Sequence, residues 1–174
     1  IYGAGSIGLC MLAAAKAMGM KKIVIAATTK KRLGLAEKLG AYRTVATREE
    51  DIMEVMKEVH PGGTDVVIDA TGIEECIQQS LKLARKGGTV ALAGYGRGKT
   101  MSIRMDDIHI NNLRVVGAGN NWNQHKKAVN LMADGSVDLS CFVTNKIALE
   151  DFELGLELAR KRPEGFVKAV FCNE

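Results

Sequence analysis

Apolar and polar positions change period along the chain in a regular way. Residues Leu9–Met18 (LCMLAAAKAM) are almost continuously apolar and Ala-rich, which predicts a packed helix over 6–19 that Gly19 ends. Lys22–Ala27 (KIVIAA) is a short β-branched run and predicts a buried strand. TTKKRLGLAEKLGA predicts a second helix, capped by Thr28 or Thr29 and stopped at Gly40, and Val45 then sits in a short strand. Residues 48–59 place apolar side chains at helical spacing until Pro61-Gly62-Gly63 breaks the helix.

The alternation continues through the middle of the chain. Asp65–Gly72 (DVVIDATG) predicts a strand with its outgoing turn, 73–86 a helix, and Gly87–Gly96 the next strand. Ser102–Met105 reads as a short extended piece, and Leu113–Gly119 (LRVVGAG) as the sixth strand. Strands alternating with helices at this spacing imply an α/β fold: a doubly wound, parallel, six-stranded sheet with helices on both faces. Past Gly119 the rhythm changes, with a helix predicted over about 123–134, an amphipathic helix from near Glu150, and a last strand in GFVKAVF. Residues 1–122 therefore form one expected unit, and 123–174 a tail that does not extend the alternation.

Against this frame the opening residues IYGAGSIG acquire a meaning. Gly3, Gly5 and Gly8 form G-x-G-x-x-G between a strand end and a helix start. Gly3 suits the tight turn, Gly5 the approach of a pyrophosphate, and Gly8 close helix–strand packing. The first free N–H groups of the helix face the anion. This predicts a Rossmann-type dinucleotide site. Such a unit uses a longer first strand than Ile1-Tyr2 supplies, so the chain is expected to be cut from something longer.

The ribose of NAD is usually bound by a carboxylate about 20 residues past the fingerprint. That position is Ala27, and no Asp or Glu occurs between Ile1 and Ala36. Thr28, Thr29, Lys30, Lys31 and Arg32 follow instead, with hydroxyls and cations that suit a 2′-phosphate. Cations in a first helical turn oppose the helix dipole, which argues against a merely solvated turn. NADP is favoured over NAD, and the sequence does not choose among the three cations. Open α/β sheets bind ligands at strand carboxyl ends, which adds Thr71, Gly72, Ala93, Gly94, Tyr95, Gly117, Ala118 and Gly119 as cofactor-binding candidates. Asp69, one step inside its strand end, reads equally as structural or as a cofactor contact.

Composition narrows the alternatives. Net charge is +4 and aromatic residues are 5% of the chain, too few stacking platforms for nucleic-acid binding. No apolar run approaches a membrane span, and no signal peptide is visible. Cys10, Cys76, Cys141 and Cys172 are scattered and read as small apolar residues of a reducing, cytoplasmic compartment. His60, His109 and His125 are dispersed, so neither a metal site nor a catalytic residue is assigned.

The ordered set GAGSIG, AKAMG, RLGLAEKLGA, DVVIDATG, GGTVALAGYG and EDFELGLELARKR-PEG-FVKAVF resembles the medium-chain dehydrogenase/reductase superfamily. It is most similar to the zinc-dependent alcohol and polyol dehydrogenase branch, of the sorbitol and threonine dehydrogenase kind. The resemblance spans essentially the whole chain. It implies hydride transfer between a secondary alcohol and a ketone on NADP or NAD. Zinc and the proton relay are then expected on an N-terminal GroES-like domain not contained in this sequence, and the fragment alone is expected to be inactive. It maps the phosphate contacts onto Gly5, Ser6, Ile7 and Gly8, and the ribose position onto Ala27, where the branch usually carries Asp. Arg32 matches a common basic residue.

The resemblance also places Ala93–Tyr95 and Gly117–Gly119 along the nicotinamide. It implies a homodimer or homotetramer through the sixth strand, Arg114–Ala118, and a tail folded onto the catalytic domain. Asn120-Asn121-Trp122 resembles Asn-Thr-Trp of sorbitol dehydrogenases, although Gly117 and Ala118 are small where those enzymes carry Arg and Tyr; Trp122 also reads as a packing residue. Two other readings stay open, a zinc-free quinone-reductase-like oxidoreductase and a non-catalytic nucleotide-sensing module.

Overall fold

A computed structural model describes residues 1–163 and 165–173. Glu164, inside the PEG of the tail motif, and Glu174, the last residue of the expected tail, lie outside the described residues. Helix α1 (Ser6–Ala17) leads to β1 (Val24–Ala27), α2 (Lys30–Lys38), β2 (Arg43–Ala46), α3 (Ile52–Val59) and β3 (Thr64–Asp69). Then come α4 (Glu74–Leu83), β4 (Ala84–Leu92), α5 (Met105–Ile110) and β5 (Arg114–Gly117). The tail adds α6 (His125–Ala133), β6 (Val143–Ala148), α7 (Phe152–Lys161) and β7 (Lys168–Cys172).

Every strand pairing is parallel, as the βαβ rhythm requires. The strands form a β1-β2 pair and a β3-β4-β5 sheet, and the tail forms a separate β6-β7 pair. The expected six-stranded sheet is thus replaced by two blocks joined at the opening residues. Tyr2 bridges to Ala26 on one side and to Asp69 on the other. Its N–H donates to Ile68 O at 2.8 Å, and its carbonyl accepts from Ala70 N at 2.9 Å. On the other side, Gly3 N donates to Ala26 O at 2.8 Å. Ile1–Gly3 is therefore a seam of isolated bridges, too short to propagate a ladder.

The strand sequence across the seam is β2-β1-seam-β3-β4-β5, which reverses at the seam. Alternate side chains of β1 face opposite ways. Val24 and Ala26 join Val45, Met56, Val67 and Leu81 beneath α3 and α4. Ile25 joins Leu9, Leu12, Leu33 and Ala36 beneath α1 and α2. Each face buries an apolar layer under its own helices, the arrangement that two-sided burial of parallel strands demands.

Several element boundaries differ from the sequence pattern for local reasons. Helix α3 starts at Ile52 rather than Arg48 because Asp51 caps it, its side chain accepting from Met53 N at 2.8 Å. Residues 49 and 50 are instead held in a turn on the Ala46 carbonyl. Helix α4 ends at Leu83, and the chain enters β4 at Ala84, where a register shift opposite Thr64–Val66 absorbs the extra residues. The expected extended piece Ser102–Met105 pairs with no strand among the described residues; the Ser102 carbonyl accepts from Gln78 Nε2 at 2.9 Å, and Met105 already begins α5. The polar-looking VTNKIA, unpredicted as a strand, becomes β6 by pairing with β7.

The tail returns to the main unit. Phe142, just before β6, is only 4% exposed and packs in the α1/α2 core layer with Leu139 and Val167 beside it. No helix among the described residues is long and apolar enough to cross a membrane.

Candidate dinucleotide site

Helix α1 begins directly on the fingerprint, with Gly5 as an extended N-cap residue. No side chain caps it, and its first turn carries no acidic residue. Leu9 N donates to Gly5 O at 2.9 Å, so the amides of Ser6, Ile7 and Gly8 precede the first intrahelical bond. Ile7 points outward, 54% exposed, while Gly8 is buried. A Cβ on Gly8 would fall on the carbonyl oxygen of Gly3, so only glycine lets α1 sit this close to the seam. Gly3 has φ +96° and lies with Thr71 Cγ2 and the Ala70 carbonyl beside it. Nothing lies within 4 Å of the Cβ position of Gly5, an open approach to the helix end.

The carboxyl ends of β3 and β4 meet this loop. Asp69 is fully buried. Its Oδ1 accepts from Thr71 N at 3.0 Å and from the Thr71 hydroxyl at 2.5 Å, and its Oδ2 accepts from Gly72 N at 2.9 Å. Its backbone carbonyl accepts from Ala93 N and Gly94 N, both at 2.8 Å. The Thr71 oxygen also accepts from Ile73 N at 3.1 Å, so this hydroxyl is committed within the turn. Gly72, at φ +67°, has the Tyr95 carbonyl oxygen 2.6 Å from its Cβ position, and Gly94 is seated on Gly72 N. Both positions require glycine because two turns stack backbone to backbone.

Seen together, the fold brings Gly3, Gly8, Thr71, Gly72, Gly94 and Asp69 into one cluster. Tyr95 projects outward, 86% exposed. At the next strand end, Ala118 N donates to Leu92 O at 2.9 Å, which sets Gly117–Gly119 beside the β4 turn. Among these positions Gly117 and Gly119 have open space at their Cβ positions.

Ala27, Thr28, Thr29, Lys30 and Arg32 lie on the other side of the seam, at the end of β1 and the start of α2. Thr29 is the N-cap residue of α2 but makes no side-chain cap bond. Lys30 Nζ lies 2.8 Å from Glu49 Oε1, an exposed ion pair. Arg32 Nη2 donates to the Phe166 carbonyl at 3.4 Å. Both partners escape sequence reasoning. Glu49 approaches only through the β1-β2 pairing, and Phe166 is separated from Arg32 by 134 residues.

Burial raises the thiol pKa values of Cys10 and Cys76 above the ordinary value, which keeps both thiols protonated near neutrality. A cavity of about 470 Å³ lies at the opposite, amino ends of β1 and β3, lined by side chains such as Met11, Ile23, Val24, Met56 and Val66. It is apolar, and none of the glycines of the strand-end turns lines it.

Parallel layered strands, an uncapped helix end over G-x-G-x-x-G, and a chain reversal at that point define a Rossmann-type α/β unit. The chain belongs to the zinc-binding dehydrogenase family, whose model matches residues 6–134. It is 34% identical over 164 residues to L-threonine 3-dehydrogenase of Bacillus velezensis, covering 92% of this chain and 47% of that one. It is 31% identical to sorbitol dehydrogenase of Bacillus subtilis, covering 91% of this chain and 45% of that one. A solved structure from Sinorhizobium meliloti 1021, described as a zinc-binding dehydrogenase bound to NADP, superposes with a TM-score of 0.87 at 30% identity. The overlap covers 99% of this chain and 51% of that one.

The chain thus spans about half the length of the relatives it matches. The family name implies zinc. Among the described residues, no group of three or more His, Cys, Asp or Glu side chains is placed to hold a metal ion. These residues do not fit zinc.

Proposed function

We propose that this chain is the cofactor-binding part of an NAD(P)-linked dehydrogenase that moves hydride between a secondary alcohol, polyol-like in class, and its ketone. The observation that carries the reading is the Gly3–Gly8 contact beneath an uncapped helix start. It leaves three amides and the positive end of the α1 dipole facing open space. Ser6, Ile7 and Gly8 amides would hold the pyrophosphate. The adenosine half would lie over the ends of β1 and β2, and the other half over the ends of β3, β4 and β5, as the reversal of strand order directs. A bound nicotinamide supplies the hydride acceptor or donor. This chain's own residues bind the dinucleotide, fix its orientation and form one wall of its cleft.

NADP is the preferred form in this reading. No carboxylate stands at Ala27, and Lys30 and Arg32 flank the place of the adenosine ribose. The Sinorhizobium relative with NADP bound supports the same choice. The pairing of Lys30 with Glu49 adds a condition: a 2′-phosphate must draw Lys30 away from that carboxylate. Residues 1–122 carry the nucleotide in this proposal. The 123–174 tail offers Val129 and Met132, exposed on α6, to the remainder of a longer dehydrogenase. The β5 edge joins copies into a dimer or tetramer, and the unpaired cysteines fit a cytoplasmic setting.

Calorimetric titration with NADPH and NADH tests the cofactor assignment. NADPH should bind about tenfold more tightly, roughly 1.4 kcal/mol. Lys30→Ala should reduce that ratio and Glu49→Gln should increase it, both with NADH affinity unchanged. Equal affinities that neither substitution moves would remove NADP from the proposal.

A further inference from the structure

We propose that Asp69 is a positioning residue for the nicotinamide side of the cleft, acting through the turns it holds and not by touching the ligand. This rests on the cofactor reading above. The Asp69 carboxylate is fully buried, and among the described residues its hydrogen-bond partners are all neutral donors: the amides of Thr71 and Gly72 and the Thr71 hydroxyl. A buried carboxylate is costly to desolvate unless its oxygens are saturated, so the Thr71–Gly72 turn is held firmly in the one shape that saturates them. The same residue's carbonyl accepts the amides of Ala93 and Gly94. One side chain and one peptide oxygen of Asp69 thus fasten two separate turns.

The two turns are in direct contact. The Cβ position of Gly94 is 2.6 Å from Asp69 Oδ2, and that of Gly72 is 2.6 Å from the Tyr95 carbonyl oxygen. Thr71 Cγ2 in turn lies 3.0 Å from the Cβ position of Gly3. The carboxylate therefore sets the spacing between the fingerprint loop and the β4 turn, which form the wall for the half of a dinucleotide beyond the pyrophosphate. Gly3 also donates to Ala26 O of β1, but among the described residues no hydrogen bond joins Asp69 or the two turns it holds to β1 or β2, so the adenosine half lies outside the direct reach of the carboxylate.

Asp69→Asn keeps the size but replaces one acceptor oxygen with an NH2 donor, which must face a donor amide or hydroxyl. The test compares NADPH with 2′,5′-ADP, the adenosine half alone, on the wild-type chain and on Asp69→Asn. NADPH should bind about tenfold more weakly to the variant, 2′,5′-ADP should change less than about twofold, and the fluorescence of bound NADPH should shift. Thr71→Val, which removes one donor at nearly constant volume, should act in the same direction by about threefold and serves if Asp69→Asn fails to fold. An equal loss for NADPH and 2′,5′-ADP, or no loss for either, overturns the positioning role and leaves the cofactor reading standing. Failure of the wild-type chain to bind either nucleotide overturns both.

Discussion

Gly8 shows how far a single hydrogen atom can decide a site. An added methyl has no flexible side chain to push aside, because what it meets is the Gly3 carbonyl. Gly8→Ala must lift α1 from the seam, at a cost of about 2 kcal/mol typical of overpacking. The expected result is a lower thermal midpoint together with loss of dinucleotide binding, read by differential scanning calorimetry and by titration of the variant. Retained binding at wild-type affinity would separate the helix end from the site. The role of Gly8 is legible in the sequence, since the triplet's spacing assigns it. The roles of Asp69, Gly72 and Gly94 are only partly so. Their residue types mark strand-end turns, but the stacking of one turn on another depends on β3 pairing with β4. Lys30 and Arg32 are legible as cations and illegible as partners of Glu49 and Phe166.

At the scale of elements, periodicity located the helices and strands better than it located their ends. Caps explain the difference. Asp51 accepts the Met53 amide and so starts α3 four residues later than the apolar spacing alone suggests. Asp51→Ala should lower stability by about 1 kcal/mol, the usual value of an N-cap, with α3 fraying in hydrogen exchange. Unchanged protection of the Met53 and Glu54 amides would show that the turn on Ala46 sets the helix start by itself. Helix α5 spans only Met105–Ile110, too short for a period to emerge, and strand β6 exists because β7 lies beside it. Neither could be read from its own residues, because a short segment takes its conformation from its neighbour.

For the whole molecule, β5 is the outer strand of the β3-β4-β5 sheet. Within the described residues β5 pairs with β4 alone, and Val116 is exposed. If copies pair here, Val116→Lys should shift sedimentation toward the monomer, because a charge at an edge opposes strand pairing. An unchanged mass would move the interface elsewhere. By itself the sequence determined the α/β rhythm, the glycine fingerprint and the missing carboxylate at Ala27, because each is written in local runs of residues. Only the tertiary structure decided that Tyr2 joins two blocks of strands and that Phe142 brings the tail back onto α1 and α2. The same holds for the joining of two turns by Asp69. Those outcomes depend on backbone groups and apolar surfaces that are far apart in the chain and become neighbours once the strands are paired and the helices cover them.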